Sequence, residues 1–562
     1  MTTFTFSATS ADWLGIAPEL VLLGLTLILM LVELVLPHEG PRTKHSGPAN
    51  YVVLPIIALL GIVGAFAATI TLFLIDHSAS VFNHMLGADS VTLYAYLIIL
   101  TAAGLGVFLS PAYLKRLELV HQGEYYALLL LGTVGMMVLA AATNFIMVFV
   151  GIEALSLALY ILCAFVARRK TSQESGMKYF LLSSFASAFL LYGIALTYGA
   201  TGNTSFDGIN RFLSGSQSAG SHSALLLIAL GLLTVGFAFK ISAVPFQTWT
   251  PDVYQGAPAP VTAFMSVGTK AAALVAFARV FDVALAPLQS TWMPVVWVLA
   301  IVTIIGGNVL AVAQTNVKRL LAYSSIAHAG YLLIGVVVGG ASGIGGILFY
   351  LFCYAFLNLG AFGVVSILEH LDNSGSSAED LRGLWYRRPI PAGLLAFFLL
   401  GLAGFPPMAG FAAKYAIFFV ALQGGHPELL IIGVLASILG MYYYLRVIAT
   451  MFMEHQETAQ PDYAAVPVSP VPSEPSRSTT RTTVASQGRG GVAVAVKPPT
   501  GKLAKPVVAA TPKLPAEPVT GRLAVFSWIG LTIAALGTLA MGTILPFWLY
   551  NLAVQAAQSI IH

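Results

Sequence analysis

The chain has 562 residues, 57% of them hydrophobic and only 9% charged, with a formal net charge of +4. Long apolar runs recur from end to end, which excludes a soluble globule and specifies an all-α polytopic membrane protein. The small net charge gives no sign of a nucleic-acid partner, and the bilayer itself is the first partner implied.

Two cysteines, Cys163 and Cys353, both lie in apolar runs. Two isolated thiols cannot make a disulfide framework or an iron–sulfur ligand set. No dinucleotide fingerprint, P-loop or zinc motif accompanies them, so no cofactor, metal or redox centre is expected in this chain. The first apolar run has neither a basic n-region nor a cleavage site and reads as a retained span.

At roughly 20 apolar residues per crossing, about fourteen spans are predicted. They cover 14–36, 51–75, 90–110, 125–142, 145–167, 178–200, 224–243, 260–284, 292–313, 322–340, 343–368, 391–421, 428–453 and 523–550. Basic residues gather after odd-numbered spans: Arg42 and Lys44, Lys115 and Arg116, Arg168 to Lys170, Lys318 and Arg319, then Arg382, Arg387 and Arg388. The loops after even-numbered spans are nearly free of them, Arg211 excepted. Basic loops stay in the cytoplasm, so both termini are expected on the outer side of the membrane.

Five segments follow: three N-terminal spans in 1–123, spans 4–8 in 124–290, spans 9–13 in 291–455, a linker at 456–521, and a last helix in 522–562. The linker is rich in Pro, Ser, Thr, Ala and Val and cannot bury a core, so it is expected to be disordered and cytoplasmic.

Ionisable residues inside apolar spans are costly and are functional candidates by default, at roughly 3 kcal/mol or more near the bilayer centre. In chain order they are Glu153 in the fifth span, Lys178 opening the sixth, Lys240 in the seventh, Lys270 in the eighth, His328 in the tenth and Lys414 in the twelfth. The seventh span reads GFAFKISAVPFQTWTPDVYQGAPAP, with Pro245 five residues after Lys240. The twelfth reads LAGFPPMAGFAAK, with Pro406 and Pro407 before Lys414. Proline breaks the helical ladder, and broken backbone at membrane depth is tolerated only inside protein or beside water. Interrupted helices five spans apart predict two inverted five-helix repeats, spans 4–8 and 9–13, with an ion path at the breaks.

A buried lysine whose carboxylate partner approaches or recedes is a switchable proton site. Glu153 is the natural partner for Lys240, and Lys270, His328 and Lys414 could continue the path through bound water. Each also has a structural alternative. Glu153 and Lys240 can form a fixed ion pair, the Lys240–Pro245 pattern fits a kink with a snorkelling lysine, Lys178 can snorkel, and His328 can be a satisfied core histidine. Arg279 and Arg446 lie near span ends as anchors, and Glu19 and Glu33 read as structural.

The segments EYYALLLLGTVGMMVLAAATNFIMVFVGIEALSLALYILCAF, SGMKYFLLSSFASAFLLYGIALTYGATG and KISAVPFQTWTPDVYQGAPAPVTAFMSVGTKAAA resemble the antiporter-like subunits of respiratory complex I, the proton-translocating NADH–quinone oxidoreductase. Within these the chain is most similar to the bacterial N-type subunits. It has no long lateral helix, a lysine at 414 where M-type subunits have glutamate, and the pattern Glu-x-x-x-Lys-Tyr-Phe from Glu174 to Phe180. The resemblance implies that Glu153 and Lys240 form the regulating ion pair. It also implies that Lys270 is the central-axis lysine, Lys414 the exit-side lysine, and Lys178 the sixth-span lysine. It further implies a bacterial plasma-membrane location and other antiporter-like and small membrane subunits as partners. FMN and iron–sulfur clusters would sit on partner subunits, and a quinone, with menaquinone suggested by the long linker, would be used by the complex but not bound here. Gln247 departs from the family's histidine and cannot titrate. A cation/proton antiporter subunit, a hydrogenase-type membrane subunit and an inert scaffold remain the alternatives.

Overall fold

The structure, a computed structural model, describes residues 9–36, 50–75, 79–117, 119, 122–215, 224–370, 375–453 and 522–560. The expected linker at 456–521 lies outside the described residues. The chain opens with α1 (Ser10–Gly15), capped by Thr9, then α2 (Ala17–Val35) and α3 (Asn50–Leu74). A small antiparallel hairpin, β1 (Ala79–Val81) and β2 (Leu86–Ala88), leads into α4 (Ser90–Arg116).

The first half continues through α5 (Gln122–Ala141), α6 (Phe145–Cys163), α7 (Lys170–Thr201) and the short surface helix α8 (Phe206–Ser214). It ends with α9 (Ala224–Ile241), α10 (Trp249–Gly256) and α11 (Ala259–Ala278), which runs on as a π-helical turn, Arg279–Ala284. The second half holds α12 (Gln289–Val312), α13 (Val317–Val338), α14 (Gly340–Leu368) and the one-turn α15 (Leu384–Arg387). It closes with α16 (Pro389–Ala403), α17 (Ala409–Gln423) and α18 (Pro427–Phe452), before α19 (Arg522–Thr543) and α20 (Pro546–Gln558).

Among the described residues, thirteen helices are long and apolar enough to cross a membrane. The pair α16 and α17 occupies the twelfth expected span, with the break at Gly404–Met408, so the predicted interruption is present. The seventh is interrupted likewise, between Ile241 and Trp249. The last expected span, 523–550, is not one helix: α19 stops at Thr543 and Pro546 starts α20. Proline is pre-organised for the first turn of a helix, where its missing N–H costs nothing. The hairpin and α8 were not foreseen, being short polar-edged elements between spans.

Two local constructions recur in the two halves. Asn144 caps α6 and donates to Thr204 Oγ1 at 3.0 Å, while Phe145 N–H donates to the Thr204 carbonyl at 2.9 Å. Asn316 caps α13 and donates to Ser376 Oγ at 3.0 Å, while Val317 N–H donates to the Ser376 carbonyl at 2.8 Å. A Cβ on Gly135 of α5 would lie 2.5 Å from Leu155 N of α6, and one on Gly307 of α12 would lie 2.5 Å from Ala327 N of α13. Both contacts need glycine because the backbones of the two helices touch.

Burial sorts the helices. Every residue of α11 is buried, whereas α2, α18 and α19 bury about a third of their length. Their outward faces carry large apolar groups such as Leu34, Leu435 and Leu536, as faces turned to lipid would.

Candidate functional site

The break after α9 shapes the surroundings of Lys240. Pro245 has no N–H to donate, and Ser242 takes φ +67°. The freed backbone groups find other partners, as buried polar groups must. Trp249 Nε1 donates to the Phe239 carbonyl at 3.1 Å, and Val244 N–H donates to Thr303 Oγ1 of α12 at 2.9 Å. Lys240, 3% exposed, sits in the last turn of α9. Its Nζ donates to Ser156 Oγ of α6 at 2.7 Å and to Tyr179 Oη of α7 at 3.3 Å. The Tyr179 ring stacks on Trp249 at 4.8 Å, closing the site on that side.

Glu153 lies one turn from Ser156 on α6, near Lys240. No direct ion pair joins them: Ser156 takes the ammonium, and Glu153 Oε1 is buried without a hydrogen-bond partner. The two groups are separated here, with the Ser156 hydroxyl bound to the lysine.

Lys270 stands in the middle of the fully buried α11, and its Nζ donates to the hydroxyl and the carbonyl of Ser325 on α13. One turn further along α13, His328 Nδ1 meets Tyr350 Oη at 2.6 Å and its Nε2 meets Tyr444 Oη at 3.4 Å. Tyr444 in turn bonds Ser324, next to Ser325. His328 is near both Lys270 and Lys414.

Lys414 sits at the second break. Gly404 takes φ +94° and ends α16, its N–H donating to the carbonyls of Leu400 and Gly401. Lys414 Nζ donates to the Ala403 carbonyl at 3.0 Å and to Ser437 Oγ of α18 at 2.8 Å, 5.8 Å from the Tyr331 ring centre. A cleft of about 580 Å³ opens beside it, lined by Phe411, Phe418, Leu430, Val434 and Met441.

Lys178 is placed differently from the expectation of a membrane-embedded charge. Its side chain is 41% exposed and pairs with Glu174 at 2.7 Å and Asp252 at 2.8 Å. Arg319 of α13 joins the same Asp252 at 2.6 Å. Glu174, Lys178 and Asp252 line a cleft with Gln255 and Gly256. Tyr179, the next residue, reaches inward to Lys240.

The chain's relatives bear directly on this arrangement. Residues 142–440 match the profile of the NADH:quinone oxidoreductase/Mrp antiporter transmembrane family. NADH-quinone oxidoreductase subunit N of Trichlorobacter lovleyi is 43% identical over 442 residues, which are 79% of this chain and 88% of that one. The chain belongs to the NADH-quinone oxidoreductase subunit N family. Subunit N 1 of Koribacter versatilis is 40% identical over 476 residues, 82% of this chain and 90% of that one. A chain of respiratory complex I from Thermus thermophilus superposes with a TM-score of 0.68 at 29% identity, over 96% of this chain and 99% of that one. A chain of the Mrp complex from Dietzia shares the fold, with a TM-score of 0.73 at 18% identity, over 99% of this chain and 100% of that one.

Within this subunit N family member, sequence reasoning missed the neutral partners of the lysines, Ser156, Tyr179, Ser325 and Ser437, and those of His328, Tyr350 and Tyr444. It also missed two buried ionic groupings that flank the ends of α11. At the end of α11, Arg279 pairs with Asp89 at 2.5 Å, making the expected anchor an inter-helix one. Near its start, Glu369, Arg169 and Lys318 form a fully buried group. Asp252 and Glu369 had a readable signal, since each is an acid at the edge of a long apolar run. Arg446 caps α12 by donating to the carbonyls of Val312 and Gln314. Glu19 accepts from Tyr96 Oη, and Glu33 accepts from Gly123 N–H.

Proposed function

We propose that this chain is a proton-translocating membrane-arm subunit of NADH-quinone oxidoreductase and carries protons along Lys240, Lys270, His328 and Lys414. One observation supports this most: three lysines lie buried along one bundle, and each ammonium is held by hydroxyls or carbonyls alone. Such a group is stabilised enough to hold a proton and has no bound carboxylate to trap it. Glu153 modulates Lys240 from a distance, so a small movement of α6 changes the attraction without breaking a contact. Tyr350, Tyr444, Ser324 and Ser325 supply hydroxyls between Lys270 and Lys414, with water completing the chain. Lys178, Glu174 and Asp252 form the rim at which the path meets solvent.

On this reading the subunit is part of a translocase and does no redox chemistry. FMN and iron–sulfur clusters belong to partner subunits, and quinone is reduced elsewhere in the complex. The chain works beside other antiporter-like and small membrane subunits in a bacterial plasma membrane, with both termini outside and the linker 456–521 in the cytoplasm.

Inverted membrane vesicles carrying Lys240→Ala test this. With assembly verified, NADH–quinone turnover and NADH-driven proton uptake are recorded together. Loss of uptake is the expected result. Full turnover with full uptake would make Lys240 structural.

A further inference from the structure

One buried carboxylate draws contacts from both halves of the chain. Glu369 follows the last residue of α14, and its side chain is 0% exposed. Its Oε1 accepts from Lys318 Nζ at 2.8 Å and from Arg169 Nη1 at 3.0 Å. Its Oε2 accepts from the Ala259 N–H at 3.3 Å. Lys318 Nζ also donates to the Ala257 carbonyl at 2.6 Å, and Arg116 donates to the Glu369 carbonyl at 2.9 Å.

Ala259 is the first residue of α11 and Lys318 lies in the first turn of α13. These two helices carry Lys270 and Ser325. At 1.5 Å per residue, Lys270 lies about 16 Å along α11 from Ala259, and Ser325 about 10 Å along α13 from Lys318. A single carboxylate therefore ties together the ends of the two helices whose middles meet at the central lysine.

We propose that Glu369 is a positioning residue that sets the contact between Lys270 and Ser325, by holding the first turns of α11 and α13 on its two oxygens. Its consequence for pumping rests on the proton-path reading above; the positioning itself does not. Burial alone would raise the Glu369 carboxyl, but the Lys318 and Arg169 cations outweigh it and hold it below the usual range, so the tie is an ionised one.

The test is the structure of the assembled complex carrying Glu369→Gln, with proton uptake per NADH measured on the same preparation. The amide keeps the shape and removes the charge. The expected result is that Lys270 Nζ withdraws beyond hydrogen-bond distance of Ser325, that uptake falls at least tenfold, and that Glu369→Asp restores part of both. An unchanged Lys270–Ser325 contact would overturn the proposal whatever uptake does. If the contact opens and uptake is unchanged, positioning stands and the proton role of Lys270 falls. If Glu369→Gln does not assemble, Lys318→Met leaves Arg169 and Glu369 balanced and is read by the same distance: an open contact supports the proposal and a closed one overturns it.

Discussion

Replacing Asp89 by Asn tests how the other end of α11 is fixed. Asp89 Oδ1 does two jobs: it caps α4 by accepting from Thr92 N–H at 2.9 Å, and it takes Arg279 Nη2 at 2.5 Å. Asn caps a helix about as well as Asp, so the substitution removes only the counter-charge. Arg279, with a side chain 4% exposed, can still donate to the amide oxygen at 89 and to Thr92 Oγ1 at 2.7 Å but faces no counter-charge. Stranding one partner of a buried pair costs about 3–5 kcal/mol; the retained bonds place this case near the lower end. Adding Arg279→Met removes the stranded charge and should recover about 2 kcal/mol or more, since apolar replacement of a buried pair is often near neutral. Cys163 and Cys353 are both buried, so thiol labelling of these two positions during a thermal ramp reports unfolding of this chain. Asp89→Asn should label at lower temperature and the double variant should recover. Labelling at the parental temperature, or a double variant weaker than the single, would refute the reasoning. The pH dependence has a defined sign. Burial pushes the Asp89 carboxyl up, but Arg279's charge and the hydrogen bonds from Arg279 and Thr92 outweigh it and leave it below 3.8. A depressed carboxyl stabilises fully above its ordinary value and loses that contribution as pH falls through the folded one. The Asp89→Asn penalty is therefore flat between about pH 5 and 8 and shrinks only in stronger acid.

Three further variants have expected outcomes. Gly404→Ala forces a side chain onto φ +94° and sets its Cβ 3.2 Å from Lys414 Cδ; the backbone strain is about 1–2 kcal/mol, and vesicle proton uptake should fall several-fold in assembled complex. Lys178→Met breaks an exposed pair, so stability should change by no more than about 1 kcal/mol, and uptake should fall far less than for Lys240→Ala; an equal loss would place Lys178 in the path itself. His328→Gln retains hydrogen-bonding capacity toward Tyr350 and Tyr444 but cannot titrate, and uptake should fall at least tenfold; full uptake would reduce His328 to a core residue.

The spans and both breaks were legible because apolar length and proline act locally. Pro245, Pro406 and Pro407 interrupt helices wherever the rest of the bundle lies. The exposure of Lys178 has a physical reason: α7 has 32 residues, about 48 Å, while the hydrocarbon core needs only about 30 Å. The surplus turns carry Lys178 to the rim. The lysines' hydroxyl partners left no signal. Ser110 and Thr133 bond back to carbonyls of their own helix, and so does Ser156, yet only Ser156 also receives a lysine. In sequence the three look alike. That Ser156 and not Glu153 bonds the ammonium was not legible, because helix rotation decides which position faces it and no local pattern specifies that rotation. Glu369 joins residues from four distant segments, which a single sequence cannot bring together.

The most direct measurement is proton uptake per NADH oxidised in inverted vesicles whose complex carries Lys270→Met. Met preserves the packing volume of the fully buried α11 and removes the ammonium that bonds Ser325. A path through the buried lysines predicts assembled complex with uptake per NADH lowered well below the parent. Assembled complex with the parental ratio would contradict it, because protons would then cross without the central lysine.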